Sequence, residues 1–349
     1  MAVTRSDVAR AAGVSPAVVS YVLNNGPRPV ATTTRARVLA AIDQLGYRPN
    51  AIASALRGGS TQTIGLLTPN RSNPFYGSLA EAIERALGEQ GYLTLTGSTY
   101  GYRASEERLL QTFVDRKADG LIITSGVALA GGVELAELEQ PVLLLEQRSD
   151  PDDRISTIST EDERDAARAV DHLQIHGHEL IGCITGPPHV STDGLRLEGW
   201  RAQQRRAGRP AGDGLVAFAE VSEGGGYQAA GLLLSRHGRP WTLYGRRPSA
   251  LFVASDVQAI GVLHACWELG LRVPDDVAVV SMGGTGAARY TIPPLTSMRQ
   301  DVEYLARTAC AQLLAEIRRP GTAAAHVRLT GNLVVGRTCG CERVGRAAD

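Results

Sequence analysis

An α/β chain, with a small helical headpiece ahead of a two-lobed parallel-sheet body, is the fold class the sequence predicts. Three observations predict it. Residues 4–26, "TRSDVARAAGVSPAVVSYVLNNG", form two short apolar-striped segments broken by Gly13. From Thr63 onward, apolar runs of strand length alternate with stretches at helical spacing. Charge is also unevenly divided: residues 1–60 carry seven arginines against only Asp7 and Asp43, in a chain of zero formal net charge.

The headpiece comes first. Val8, Ala9 and Ala12 share one face of a segment running from Ser6 to Ala12, as helical periodicity requires. Gly13 permits a tight turn because it tolerates positive φ. Ser15 can cap a second helix, and Pro16 suits its first position, where no N–H is needed. Val19, Val22 and Leu23 form that helix's apolar stripe, while Pro16, Ala17, Ser20, Tyr21 and Asn24 point elsewhere. A short helix that buries one side and displays small or hydrogen-bonding residues on the other suits a DNA groove. An ordinary helical hairpin at a domain edge is the plainer alternative. A third helix, "TRARVLAAIDQLGY", places Val38, Leu39, Ile42 and Leu45 at helical spacing and completes the unit by Tyr47. The arginine surplus is the charge signature of a nucleic-acid reader attached to an acidic body.

Between head and body lies "RPNAIASALRGGSTQT". It allows about two turns of helix, too few to hold alone in water, so it is a linker or a helix that orders on binding. The body then runs through "TIGLLTP", "YLTLTGS", "DGLIITS", "PVLLLEQ", "ELIGCITG", "LVAFAEV", "ALFVASD" and "DVAVVSMGG". Runs apolar on both faces and separated by amphipathic helices indicate parallel sheets covered on two sides. Eight such strands are many for one open sheet, and a break near 159–162 suggests two similar lobes in tandem. Ligands in such folds sit beyond the carboxyl ends of strands, here the loops at Pro69, Ser125, Glu146, Gly186 and Ser255.

Composition excludes several classes. With 43 % hydrophobic and 21 % charged residues the chain is globular. It has no apolar run of the ~18 residues a membrane helix needs. No signal-peptide pattern opens it, so a cytoplasmic location is expected. Cys183, Cys266, Cys310, Cys339 and Cys341 are scattered and odd in number, which suits reduced thiols. Enzyme readings are weak. "GGGYQAAG" lacks the G-x-G-x-x-G spacing of a nucleotide loop. His172 and His176 stand at i, i+4 as a metal pair, but no third ligand at a recognisable spacing accompanies them. No metal and no cofactor are expected, and Cys339-Gly-Cys341 is expected to be inert.

"SDVARAAGVSPAVVSYVLN", "TRARVLAAIDQLGYRPNAIASALR", "IGLLTPNRSNPFYGSLAEAIE", "GLRVPDDVAVVSMGG" and "IPPLTSMRQD" together resemble the LacI/GalR family of bacterial repressors, in its order and spacing, from Val3 to about Arg337. The resemblance implies a helix-turn-helix headpiece (1–48), a hinge helix and linker (49–60), a body like the type I periplasmic binding proteins (61–340) and a tail (341–349). Lobe 1 would comprise 61–160 plus 293–324, and lobe 2 161–292 plus 325–340. It further implies a homodimeric repressor on a pseudo-palindromic operator, gated by a carbohydrate-like effector between the lobes. The absence of leucine heptads after Arg337 argues against a tetramerising coil.

By the same resemblance the helix from Ser15 to Asn24 enters the major groove, with Ser15, Pro16, Ala17, Ser20, Tyr21 and Asn24 facing DNA. Thr4, Ser6 and Asn24 are candidate phosphate contacts. Leu56 would wedge into the minor groove beside its dimer mate, with Arg57 on phosphate; packing of Leu56 on the lobe below is the alternative. The effector would face Asn73, Phe75, Ser125 and Glu146 from one lobe. Thr192, Arg196, Ser255 and Asp256 would face it from the other, and Gln300 from the crossover. A salt-bridged domain interface explains the same residues. The chain departs from the family pattern at Val18 and Tyr21, and Tyr21 cannot make arginine's bidentate guanine contact. Gly284 and Val221 stand where an aspartate and a stacking aromatic are common. Those two losses, with Arg196 at the cleft, shift the expected ligand from a plain hexose to a phosphorylated, acidic or glycosidic one.

Overall fold

The computed structural model describes residues 3–24, 29–48, 60–124, 135–147, 154–187 and 191–341. The chain divides into two compact units, Met1–Thr61 and Gln62–Asp349.

The first unit holds three helices among its described residues: α1 (Arg5–Ala12), α2 (Pro16–Asn24) and α3 (Thr32–Leu45). Thr4 caps α1 in a reciprocal box with Asp7. Its hydroxyl donates to Asp7 Oδ2 at 2.6 Å, and the same oxygen accepts from the Thr4 N–H at 2.9 Å. Thr4, expected to touch phosphate, therefore has a structural duty as well. Gly13 takes φ +63° and closes α1 with its N–H on the Ala9 and Arg10 carbonyls, a conformation glycine adopts without strain. Val8, Ala9, Ala12, Val19, Val22, Val38 and Ala41 make the core. On α3 the buried stripe is Val38 and Ala41, while Leu39 and Leu45 are exposed. The expected apolar spacing thus overcounted what such a small core can cover.

The body is two parallel-rich sheets. The first takes β1 (Thr63–Thr68), β2 (Leu93–Ser98), β3 (Gly120–Ile123), β4 (Val142–Leu145), β5 (Ser156–Thr160) and β11 (His326–Leu329), in the order β11-β5-β4-β3-β1-β2. All its pairs are parallel. Helices α4 (Pro74–Gly88), α5 (Arg103–Asp115) and α11 (Val302–Arg318) connect or follow these strands. Ile64, Leu66 and Leu143 pack there with Leu79 and Ile83 of α4 and Leu305 and Leu313 of α11.

The second sheet takes β6 (Ile181–Thr185), β7 (Val216–Phe218), β8 (Ala250–Val253), β9 (Ala278–Gly283), β10 (Thr296–Arg299) and β12 (Asn332–Val334), in the order β12-β10-β9-β8-β6-β7. Only β12 runs antiparallel. Its helices are α6 (Asp162–Ile175), α7 (Ser191–Arg206), α8 (Glu223–Leu234), α9 (Arg239–Tyr244) and α10 (Asp256–Glu268). Trp200, Phe252 and Val280 are fully buried in this lobe. Within "GGGYQAAG", Gly225 and Gly226 serve packing. A Cβ on Gly226 would lie 2.0 Å from the Gln258 carbonyl oxygen, and one on Gly261 would lie 1.8 Å from that of Glu223. Backbone therefore meets backbone between α8 and α10, which needs glycine.

Two assignments of chain to lobe are corrected. β10 lies in the second sheet, so 293–324 is not all lobe 1. β11 lies in the first, so 325–340 is not all lobe 2. Each crossing falls one strand later than expected, because "TSMR" and "HVRL" are too short and polar to stand out as apolar runs. The chain passes between lobes after Thr160, between Arg299 and Val302, and between Leu329 and Asn332. Beyond β12 it returns along α6, bringing Cys341 Sγ to 3.5 Å from His172 Nε2 and 3.3 Å from His176 Nε2. The histidine pair thus does have further candidate ligands beside it, which their distance in sequence hid. Among the described residues no helix is long and apolar enough to cross a membrane.

Candidate functional site

Two surfaces carry the expected functional residues. On α2, Ser15, Pro16 and Ala17 are exposed and Ser20 and Tyr21 half-exposed, while Val19 and Val22 are buried. The Ser15 hydroxyl accepts from the Val18 N–H at 3.4 Å and so caps the helix. Ser6 is exposed on α1. Asn24 closes α2; its side chain, and Leu56, Arg57 and Ser125 entirely, lie outside the described residues.

The second surface lies where the chain crosses between lobes. Glu146 follows β4 and is 1 % exposed, with φ +58°. A non-glycine residue held in that region costs ~1 kcal/mol or more, and such strain gathers at functional sites. Its Oε2 accepts from the Thr160 hydroxyl at 3.0 Å and from Gln300 Nε2 at 3.2 Å. Gln300 Nε2 also reaches the Thr160 hydroxyl oxygen at 2.6 Å. Thr160 lies 3.1 Å from Asp162 Oδ2, and Asp162 Oδ1 accepts from Arg196 Nε at 2.7 Å. Arg196 also donates to the Ala254 carbonyl at 2.8 Å. One buried chain of polar groups thus runs from β4 in the first lobe, through two crossings, to α7 in the second. One turn along α6, Asp165 accepts from the Gly331 N–H at 2.6 Å and ties the third crossing.

Electrostatics follow from burial. Glu146 is pushed up to about 8, first by desolvation and then by the Asp162 charge. Burial opposes the Arg196 charge, but Asp162, Asp193 and the hydrogen bond to Asp162 outweigh it and raise its pKa. The Tyr76 phenol is raised by burial, and the charges of Arg196, Asp193, Glu146 and Asp162 all act on it. Three buried oxygens, Glu146 Oε1, Gln147 Oε1 and Gln300 Oε1, have no hydrogen-bond partner among the described residues. Water or a ligand can satisfy such groups.

The structure joins Glu146, Arg196 and Gln300, all expected to face an effector, in one network bonded within the protein. It assigns other duties to four candidates. Asn73 caps α4, its Oδ1 accepting from the Phe75 N–H at 3.0 Å. Phe75 packs into the first lobe's core and stands edge-on to Tyr76 at 5.3 Å. The Ser255 hydroxyl is bonded to Gln258 at 3.0 Å. Asp256 accepts from the Ser281 and Ser297 hydroxyls and the Thr285 N–H, each at 2.6 Å, and so pins the loop after β9. Thr192 is half-exposed at the start of α7. Gly284 takes φ +65°, and a Cβ there would lie 2.3 Å from that of Arg299, so the missing carboxylate has a steric cause. Phe75, Gly284 and Gln300 also line a cavity of about 510 Å³ with Ser78, Arg289 and Arg299. Sequence reading missed Tyr76, Gln147, Thr160, Asp162 and Asp193. The one available signal was the acidic run "EDERD" immediately after the first crossing.

A helix-turn-helix unit joined to a two-lobed body, with a buried polar network at the crossings, defines the class of bacterial transcriptional regulators built on a binding-protein-like body. The comparisons agree. Residues 4–50 match the bacterial regulatory proteins of the lacI family, and residues 170–339 match the periplasmic binding protein-like domain. The ribose operon repressor of Escherichia coli strain K12 is 34 % identical over 328 residues, covering 94 % of this chain and 97 % of its own. A crystal structure of the lac repressor dimer bound to operator and the anti-inducer ONPF superposes with a TM-score of 0.85 at 28 % identity, covering 97 % of this chain and 99 % of that one. The transcriptional regulator CelR–cellobiose complex does so with a TM-score of 0.70 at 26 % identity, covering 96 % and 99 %. The chain belongs to the lacI family of bacterial regulatory proteins.

Proposed function

We propose that this chain is a sequence-specific transcriptional repressor, acting as a homodimer on a pseudo-palindromic operator, and that a neutral polyhydroxylated ligand at the crossing network sets its operator affinity. It acts in the cytoplasm, where operator DNA is. Members of the family are regulators, and this chain is read as one, not as an enzyme. The exposed face of α2 supports major-groove reading, with Tyr21 offering one hydrogen bond where arginine would offer two.

The observation that carries the ligand reading is the set of three buried oxygens without hydrogen-bond partners among the described residues, beside an already neutralised arginine. Ligand hydroxyls supply the donors those oxygens lack. Asp162 occupies the charge of Arg196, and Asp193 adds further acidity. Of the phosphorylated, acidic and glycosidic ligands that the sequence suggested, that balance favours the glycosidic, and it readmits a neutral sugar. The lac repressor structure holds the anti-inducer ONPF and the CelR structure holds cellobiose; cellobiose, a neutral sugar, supports the same class. A ligand that binds one lobe arrangement better shifts the population of that arrangement, and operator affinity moves with it reciprocally.

The test is fluorescence-anisotropy titration of the full chain on a palindromic fragment from upstream of its own gene, with neutral sugars, glycosides and sugar phosphates in turn. A neutral compound should change operator affinity, and the phosphorylated counterparts should not. A response to sugar phosphates alone would overturn the neutral reading.

A further inference from the structure

His172 and His176 stand one turn apart on α6, so both imidazoles occupy the same face, with ring centroids 4.8 Å apart. The segment after β12 lays "CGC" against that face. Cys341 Sγ is 3.3 Å from His176 Nε2 and 3.5 Å from His172 Nε2. Cys339 Sγ lies 3.1 Å from Cys341 Sγ, unbonded. The ligand atoms of His172, His176 and Cys341 all fall within 4.8 Å of one another.

Those separations resemble the edges of a small tetrahedron. Around a zinc ion with Zn–S of about 2.3 Å and Zn–N of about 2.0 Å, tetrahedral ligand atoms sit roughly 3.3–3.8 Å apart. The two edges from Cys341 to the histidines fall in that range, while the Cys339–Cys341 edge is shorter and the ligand atoms of the two histidines lie within 4.8 Å of each other. Donor chemistry points the same way: two thiols and two imidazoles suit zinc, whereas calcium and magnesium take oxygen. The H-x3-H half has the usual helical spacing, and the C-x-C half is one residue tighter than the common loop. His176 Nδ1 is buried without a hydrogen-bond partner among the described residues, so none of these selects its tautomer. A metal on Nε2 would place the proton on Nδ1.

We propose that His172, His176, Cys339 and Cys341 bind one zinc ion in a closed, structural Cys2His2 site that fastens the C-terminal segment to α6. Four protein ligands leave no open position, so the ion holds structure and does no hydrolytic work. The clip acts at the end of α6 opposite Asp162 and Asp165, which hold the lobe crossings. Cys339 is fully buried in the second lobe's core, while the two histidines and Cys341 are half-buried, which leaves a route of entry for the ion.

The experiment uses the full chain, purified under reducing conditions and passed through gel filtration, with zinc alone as the probe. Elemental analysis should find about one zinc per chain. Cobalt replacing it should show thiolate-to-cobalt charge transfer and the intense visible bands of tetrahedral coordination. Cys341→Ser and His176→Asn should each lose the ion and the cobalt bands, while a Cys183→Ala control keeps both. Chelation of the wild-type protein should lower its Tm by several degrees, and added zinc should restore it. This arm needs no variant to fold. A wild-type chain that takes up neither zinc nor cobalt would overturn the proposal. So would equal metal retention in both ligand variants, or a Cys339–Cys341 disulfide in protein isolated anaerobically.

Discussion

The α2 face and the crossing network carry function in opposite ways. On α2 the presented residues are exposed or half-exposed, and the helix is held from behind by Val19 and Val22. At the crossings Glu146, Asp162, Arg196 and Gln300 are all buried and bonded to one another. Position on one surface depends on a helix, and on the other it depends on every partner. A substitution on α2 should therefore change what is read without changing stability, and one at the crossings should change both.

The largest effect expected is at Asp162. Asp162→Ala leaves the Arg196 guanidinium buried without its counter-ion, and breaking such a pair costs ~3–5 kcal/mol. Urea denaturation followed by tryptophan fluorescence should show the body destabilised by about that much. A loss below ~1 kcal/mol would mean water reaches the pair, as it does at surface ion pairs. Next comes Tyr21→Ala, which should weaken specific operator binding by ~1–3 kcal/mol. Because the side chain is half-exposed, stability should stay within ~0.5 kcal/mol of wild type. Loss of both together would place Tyr21 in the headpiece core and erase the contrast.

Glu146 gives a pH signature. Its folded pKa is raised to about 8 from 4.5, so the folded chain keeps a proton that the unfolded chain has already released. The stability this proton confers is complete below about 4.5 and is lost as pH rises through about 8. Glu146→Gln should flatten that decline, seen as denaturation midpoints that converge on or exceed wild type in mildly alkaline buffer. Parallel pH curves for the two proteins would show that the carboxylate is ionised throughout. The smallest effect is Thr4→Ala, which removes a cap worth ~0.5–2 kcal/mol and should lower the headpiece melting temperature while leaving the body unchanged.

The same contrast decides what was legible in the sequence. The headpiece is local: Gly13, Ser15 and Pro16 announce the turn and the cap, and period-3.6 spacing announces the buried side. The eight strongly apolar strands were equally plain. β5, β10, β11 and β12 were not, because "STIST", "TSMR", "HVRL" and "NLV" are short or polar and lie next to crossings. Glu146, Arg196 and Gln300 were legible by residue type and motif. Their partners Thr160 and Asp162 were not, since a buried bond between residues far apart in sequence leaves no periodic trace. Ser255 and Asp256 hold further bonds that the sequence did not announce. They are polar residues at a strand's carboxyl end, but helix capping and loop pinning absorb their hydrogen bonds.

The threefold crossing also orders events on the ribosome. Between Thr160 and Val302 the nascent chain emits β6 to β10, all of the second sheet but its last strand. Throughout that interval the first sheet lacks β11 and has no α11 to cover Leu79, Ile83 and Leu143. The lobe begun first is therefore finished late, with an apolar face bare while its neighbour assembles. Chains halted near Gln300 should be the aggregation-prone species of this protein and natural clients for chaperones, since exposed core surface and an unpaired strand edge are what make folding intermediates associate.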